Sequence, residues 1–306
     1  MTRYATWGII IDDIVFPDGR TALGVPGGAG LYAALGMRLW TPDVILISAV
    51  GHDFDPQALL ALGLDDRGLQ TTGYPTPRAW QLFEEDGRRT QIFRVPQEVV
   101  FEQLVRAPLK WPLAEGVEAV HYMLRGNPEE EKMVLSLAGQ GVCLSAEPIV
   151  DGHTTQAERE VILRCLAYFE LFSPDEEGAA LLAGAQPPLQ QLRELASRGP
   201  RVVSLRQGAA GSLVYERDAE RAWRVPAAPA TVVDITGAGN AYCGGFLVAW
   251  HESRDARRAA AYAAVSAAVT IEQLGPPRIG AATMAAAQKR AAQVFEEIRQ
   301  AARVDG

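Results

Sequence analysis

The chain has 306 residues, 48% of them hydrophobic, and a formal net charge of -8 at pH 7. That length builds one large α/β domain or two small ones with a full core, and the acidic balance excludes nucleic acid as the main partner, which demands a basic face. Its three cysteines, Cys143, Cys165 and Cys243, are scattered and odd in number, which argues against a disulfide framework or a zinc site and for a reducing, cytoplasmic setting.

In chain order, short runs rich in Val, Ile or Leu at 7–11, 44–50, 119–122, 142–146, 171–172 and 202–205 predict buried parallel strands. Helical patterns at 30–39, 129–139, 155–167, 176–183 and 189–197 fall between them, and two alanine-rich helices, 256–274 and 281–302, close the chain. The apolar run 7–15 is broken by Asp12 and Asp13 and starts too near Met1 for a leader peptide. No run approaches the ~20 apolar residues of a membrane helix. His52, His121, His153 and His251 show no metal-ligand spacing.

One segment breaks the alternation. "RAWQLFEEDGRRTQIFRV" alternates on both sides of a Gly87 turn, the pattern of a β-hairpin. It fits a lid or dimer contact inserted in the domain, and equally an antiparallel edge of the main sheet.

Three glycine clusters compete for chemistry. In "GVPGGAGLYAALG", Gly28, Gly30 and Ala33 match a dinucleotide fingerprint, but an acidic stretch separates them from the strand that should lead straight in. A close backbone approach to a small polar ligand fits better, with Asp12 or Asp13 as hydrogen-bond acceptor; tight helix packing is the competing use of the glycines. "SLRQGAAGSLVY" reads as strand, bend and strand, bending at Gly208 and Gly211. In "TVVDITGAGNAYCGGFLVAW", Asp234 ends a Val-rich strand, and the bend Gly237, Ala238, Gly239 opens a helix with backbone N–H groups directed at an anion. The only lysines are Lys110, Lys132 and Lys289, and none follows a glycine cluster, which excludes a Walker-type loop.

"DITGAGN" with "AYCGGF" resembles the C-terminal signature of the PfkB, or ribokinase-like, sugar and nucleoside kinases, D-T-x-G-A-G-D in its usual form. "GGAGLYAALGMRLW", "AVGHDFD", "PTPRAWQLFEEDGRRT", "SPDEEGAALLAG" and "SLRQGAAGSLV" resemble further family segments in order, so the likeness spans nearly the whole chain. It implies a three-layer α/β sandwich with a mostly parallel central sheet, a single domain over 1–306, and an inserted β lid from segments at about 12–26 and 78–97. It implies ATP and Mg2+, in some relatives a monovalent cation, and a small-molecule hydroxyl as acceptor, with a homodimer through the lid. Asp13, Gly27, Gly28 and Tyr32 then fall on the substrate side. Gly237, Ala238, Gly239 and Asp234 fall at the anion hole, and Asp175, Arg206, Gly208 and Gly211 along the nucleotide, with Glu176 near the metal's water network.

The departures are as informative. The family's catalytic Asp falls on Asn240, whose amide cannot take a proton near neutral pH. A family Asn falls on Tyr32, and an N-x-x-E motif on Asp175 and Gly178. "TGAGN", "AEP" at 146–148 and "IEQLGPP" at 271–277 together resemble a branch that includes the fungal maintenance-of-killer proteins, which also carry Asn at the base position. Two readings follow: an ATP-dependent phosphotransferase of reduced activity, and a kinase fold that binds nucleotide or sugar without transfer.

Overall fold

The computed structural model describes residues 3–106 and 115–300. Its main sheet has nine strands in the order β13-β12-β11-β10-β9-β8-β1-β4-β5. These are β1 (Tyr4–Trp7), β4 (Val44–Val50), β5 (Leu69–Thr71), β8 (Ala119–Leu124), β9 (Cys143–Pro148), β10 (Leu171–Phe172), β11 (Val202–Arg206), β12 (Ser212–Glu216) and β13 (Arg221–Val225). From β11 to β5 all neighbours pair parallel, whereas β11, β12 and β13 form an antiparallel meander.

Helices cover both faces, and alternate residues of each strand feed a separate core, as a doubly buried parallel sheet requires. Tyr4, Val44, Leu46 and Val50 join one core with α1 (Ala29–Arg38), α8 (Ala238–Ser253), α9 (Ala256–Ile271) and α10 (Ala281–Gln300). Ala5, Trp7, Ile45 and Ile47 join the other with α4 (Pro128–Gly139), α5 (Gln156–Cys165), α6 (Glu176–Ala183) and α7 (Pro188–Ser197). Two short helices, α2 (Gln57–Leu60) and α3 (Gln97–Phe101), lie in connections. Asn127 and Thr155 start α4 and α5 with capping boxes that use Glu130 and Glu158. No helix among the described residues is long and apolar enough to cross a membrane.

The predicted hairpin forms β6 (Arg78–Phe83) and β7 (Arg89–Phe93). It does not extend the main sheet. It joins β2 (Ile10–Val15) and β3 (Thr21–Gly27) in a second, four-stranded sheet ordered β3-β2-β6-β7. Two expectations change, and a third falls partly outside the described residues. The strand predicted at 7–11 is two strands: the chain leaves the main sheet at Trp7 and enters the small sheet at Ile10. The Val-rich run before Gly237 is not a strand but an irregular segment, with Val232 and Ile235 exposed and Val233 N–H bonded to Ile271 O. The last helix is described only to Gln300, so its predicted end at 302 lies outside the described residues.

Candidate active site

Ligands of open α/β sheets sit beyond the carboxyl ends of the strands, where the strand order reverses. Here the reversal lies at β1, flanked by β4 on one side and β8 on the other. The small sheet follows the carboxyl end of β1; the start of α1 lies against that same end, where a Cβ on Gly30 would fall 1.9 Å from Trp7 O, and the start of α8 lies against Arg206, the last residue of β11.

α1 and α8 begin alike. Their N-caps are Gly28 (φ 96°) and Gly237 (φ 77°), neither with a side-chain cap. Positive φ suits glycine, and an uncapped start leaves the first-turn N–H groups for a ligand. At α8, Ala238 N–H turns back to Ile235 O at 3.3 Å, so the predicted contribution of Ala238 to the anion hole is partly spent on the turn itself. Asp234, predicted among the catalytic residues, holds this turn instead: its carboxylate accepts from Thr236 N at 2.8 Å and from Gly275 N at 2.9 Å. Gly239 lies against Arg206, such that a Cβ there would fall 2.3 Å from Arg206 Nη1. The guanidinium thus backs the glycine turn with a full positive charge. Tyr242, one turn further on, accepts or donates to Ser204 and Ser212 at 2.7 and 2.9 Å and ties α8 to β11 and β12.

At the other side, Asp12 faces the N-terminal glycines. A Cβ on Gly27 would fall 1.8 Å from Asp12 Oδ2, and Gly28 N–H donates to the carboxylate. Gln81 Nε2 donates to Asp12 Oδ1 at 2.7 Å. Burial pushes the Asp12 carboxyl up to about 6, against the pull of Gln81 and Arg89. Asp13, the residue that family spacing selects, lies on the opposite face, because neighbours on a strand alternate. It is paired in register with the half-exposed Trp80. There its carboxylate accepts from Arg94 and from Gly24 N and lies 3.6 Å from Arg78 Nε. Asp12 therefore stands at the glycine turn where Asp13 was expected.

Tyr32 joins the two sides. Its ring packs on Gly237, where a Cβ would come within 2.0 Å of it. Burial raises its hydroxyl well above the ordinary range, with Asp12 and Asp234 adding to the effect. Four buried atoms of these residues have no hydrogen-bond partner: Tyr32 OH, Gln81 Oε1, Thr236 Oγ1 and Arg206 Nε. Polar atoms left unpaired at that depth suit a polar ligand.

A cluster that the sequence analysis did not anticipate stands beside the α8 turn. Glu147, at the carboxyl end of β9, accepts from Asn240 Nδ2 at 2.6 Å and from Arg206 Nη1 at 2.7 Å, with His121 Nε2 at 3.2 Å. Burial alone would raise its carboxyl; Arg206, His121 and Asn240 together hold it down at about 2. His121, Glu147 and Cys243 bring their ligand atoms within 4.8 Å of one another, but the Arg206 guanidinium on the same carboxylate makes this an ion-pair cluster unsuited to a metal cation. The signal for Glu147 was present in the sequence as a carboxylate ending a predicted parallel strand.

Of the predicted nucleotide residues, Arg206 ends β11, and Gly208 (φ 55°) and Gly211 (φ 87°) shape the bend into β12. Asp175 pairs with Arg206 in an isolated bridge, while its side chain caps α6 by accepting from Gly178 N at 2.8 Å. Glu176 accepts from Gln207 Nε2 at 3.1 Å. Helix capping thus occupies one oxygen of Asp175, and Glu176, exposed like Asp175 and Glu177, is the acid bonded to the bend through Gln207.

Residues 18–278 match the model of the pfkB family of carbohydrate kinases. The chain belongs to that family. It is 29% identical over 251 residues to a cytidine kinase of Thermococcus kodakarensis, an alignment that covers 80% of this chain and 87% of the relative. The fold matches an E. coli protein provisionally assigned as ribokinase II, in its apo form at TM-score 0.78 and 21% identity (95% of this chain, 100% of that one). The complex of that protein with ATP and Mg2+ matches at TM-score 0.76 and 21% identity (96% and 100%). A nucleoside kinase of Burkholderia thailandensis in complex with inosine matches at TM-score 0.76 and 20% identity (96% and 98%). The chain thus has the ribokinase-like fold expected from its motifs.

Proposed function

We propose that this pfkB-family protein transfers the γ-phosphoryl group of MgATP to a hydroxyl of a nucleoside or sugar. One observation carries the reading: the uncapped glycine start of α8, backed by Arg206, lies across Tyr32 from the buried acid Asp12. An anion site and a hydroxyl-binding carboxylate thus share one cleft. A relative named as a cytidine kinase and a nucleoside kinase solved with inosine support a nucleoside over a simple sugar.

MgATP supplies the phosphoryl group and the neutralisation of its charge; Gly237, Gly239 and Arg206 would hold its phosphates, Gly208, Gly211 and Asp175 its nucleoside side, and Glu176 the metal's water shell. The unpaired Arg206 Nε and Thr236 Oγ1 beside the turn fit such an anion. On the acceptor side, Asp12 and Gln81 Oε1 accept hydrogen bonds from acceptor hydroxyls, Gly27 and Gly28 let the ligand approach the backbone, and Tyr32 OH orients it. Asn240 accepts from the reacting hydroxyl through its amide oxygen. Because phosphoryl transfer passes through a loose transition state, positioning and charge stabilisation do most of the work. Lack of a carboxylate base costs about 10²–10⁴-fold.

Asn240 also favours a second reading, in which the cleft binds nucleotide and acceptor without transfer. Both are tested by giving the purified protein MgATP and a panel of nucleosides and sugars, with and without K+. Transfer to at least one acceptor is expected, best to a nucleoside. No transfer to any of them, with nucleotide still raising the melting temperature, leaves the binding reading standing.

A further inference from the structure

The contact between Asn240 and Glu147 decides which way the amide faces. Asn240 Nδ2 donates to Glu147 Oε1 at 2.6 Å. The other carboxylate oxygen accepts from Arg206 Nη1 at 2.7 Å. Glu147 is 1% exposed, so its charge persists only because these donors converge on it. Rotating the amide by half a turn would set its oxygen against a carboxylate oxygen at hydrogen-bond distance, with no proton between them. The –NH2 group is therefore committed to Glu147, and the amide oxygen faces away from it.

Resting on the phosphotransferase reading above, we infer that Glu147 sets the orientation of the Asn240 amide in the site. Glu147 is the positioning residue that fixes Asn240 with its carbonyl oxygen toward the acceptor hydroxyl and anchors Arg206 behind the glycine turn. Asn240 is the group that touches the acceptor; Glu147 acts through it and through Arg206.

The inference makes an unusual demand on mutagenesis. Asn240→Asp restores the residue type found at this position in the wider family, yet it sets a second carboxyl group 2.6 Å from a buried carboxylate. Two carboxylates so close do not both ionise; they share a proton. The charged and titratable groups facing the pair are His121 from β8, Arg206 from β11, Cys243 from α8 and, through Arg206, Asp175 before α6. The cationic Arg206 lies on Glu147, and burial raises the Cys243 thiol far above neutrality, so the thiol stays uncharged. The extra proton accordingly rides on the new carboxyl at position 240, which is then a donor to Glu147 and not a base. Exchanging both groups, Asn240→Asp with Glu147→Gln, keeps the cluster's charge and volume and frees the carboxyl at 240 to ionise.

The test compares wild type, Asn240→Asp, Glu147→Gln and the double exchange by two readouts. The first is carboxyl-carbon NMR titration of the folded proteins, which needs no turnover. Asn240→Asp should show one carboxyl more than the wild type, beyond Asp12 and Glu130, titrating above the ordinary carboxylate range, and the double exchange should show no such addition. The second is kcat against pH with the best acceptor. Asn240→Asp should be no faster than wild type near pH 7 and should gain rate as pH rises. Glu147→Gln should lose about tenfold or more in kcat with little change in KM, and the double exchange should exceed Asn240→Asp by about 10-fold or more. An ordinary titration in Asn240→Asp, or a single variant as fast as the double exchange, overturns the inference. If no variant phosphorylates any acceptor, the kinase reading falls, and the NMR arm still decides the pairing.

Discussion

Two neighbouring aspartates show how much turns on one residue. Family spacing selects Asp13, but strand alternation turns Asp13 toward Trp80 and gives Asp12 to the glycine turn. The residues alone named both acids, and the family resemblance chose Asp13; the placement depends on the pairing of β2 with β6, which no spacing shows. Burial has a cost that can be measured. With the Asp12 carboxyl pushed up to about 6, the native state binds its proton more tightly than the unfolded chain, whose Asp titrates near ~3.9. The contribution of Asp12 to stability is therefore fully present below that lower value and is lost as pH rises through 6. Asp12→Asn, which keeps an acceptor for Gln81, should stabilise the protein at pH 7.5 by up to about 3 kcal/mol and leave it nearly unchanged at pH 4, read from denaturant midpoints. A gain of equal size at both pH values would contradict the buried-charge account. Acceptor affinity in the wild type should fall as pH drops below 6, where Asp12 takes up its proton. Glu147 was harder to see than either aspartate. Its significance comes from three partners on other strands and helices, His121, Arg206 and Asn240, and no spacing along the chain brings them together.

At the scale of elements, the helices were legible because their signals are local. The capping residues Asn127, Thr155, Asp175 and Asp255 stand at the starts of their helices, and apolar periodicity runs on from each. The failures came where composition suggested a strand and tertiary context withheld a partner. Thr231 to Val233 is β-branched, yet Val232 is 63% exposed, and the N–H groups of Val233 and Asp234 both donate to Ile271 O at the end of α9. The glycines of α1 and α8 differ by position. Gly28 and Gly237 start the two helices at positive φ, while Gly36 and Gly244 let the helices cross at backbone contact. A Cβ on Gly36 would fall 2.1 Å from Ala241 O, and one on Gly244 2.0 Å from Ala33 O. The packing use weighed in the sequence thus belongs to Gly36 and Gly244, and the proposed ligand use falls to Gly28 and Gly237. Gly244→Ala must spread the two helices and should cost about 1–3 kcal/mol, seen as a lower denaturant midpoint with an unchanged m-value. Because both cleft-forming turns start these helices, nucleotide should also raise its melting temperature less than it does for the wild type.

At the scale of the whole molecule, the alternation of strands and helices was enough to give a doubly wound sheet, and the motif order enough to give the family. The small sheet was legible only in part. Its hairpin was visible, but its assembly with β2 and β3 was not, since the chain crosses between sheets in two residues at Gly8 and Ile9. The aromatic residues of the hairpin, Trp80, Phe83 and Phe93, on which a dimer contact would draw, separate by face. Phe83 is buried within the chain and stacks on Phe16 with ring centroids 4.7 Å apart, whereas Trp80, Ile92 and Phe93 remain part-exposed. The proposed homodimer through this sheet should therefore use the Trp80 and Ile92 face. Light scattering should report a dimer that Trp80→Glu splits; a monomer at high concentration would remove the proposal.

The 2.6 Å contact between Asn240 and Glu147 also bears on descent. With Glu147 holding both the Asn240 amide and Arg206, neither position is free to change by itself. A lineage that regains Asp at 240 first confronts two acids sharing a proton, and one that loses the acid at 147 first leaves Arg206 without its counter-ion. The way back to the usual base leads through a poorer intermediate in either order, so the asparagine is locked in by its neighbour, and the site can persist in this form without Asn240 being superior to aspartate.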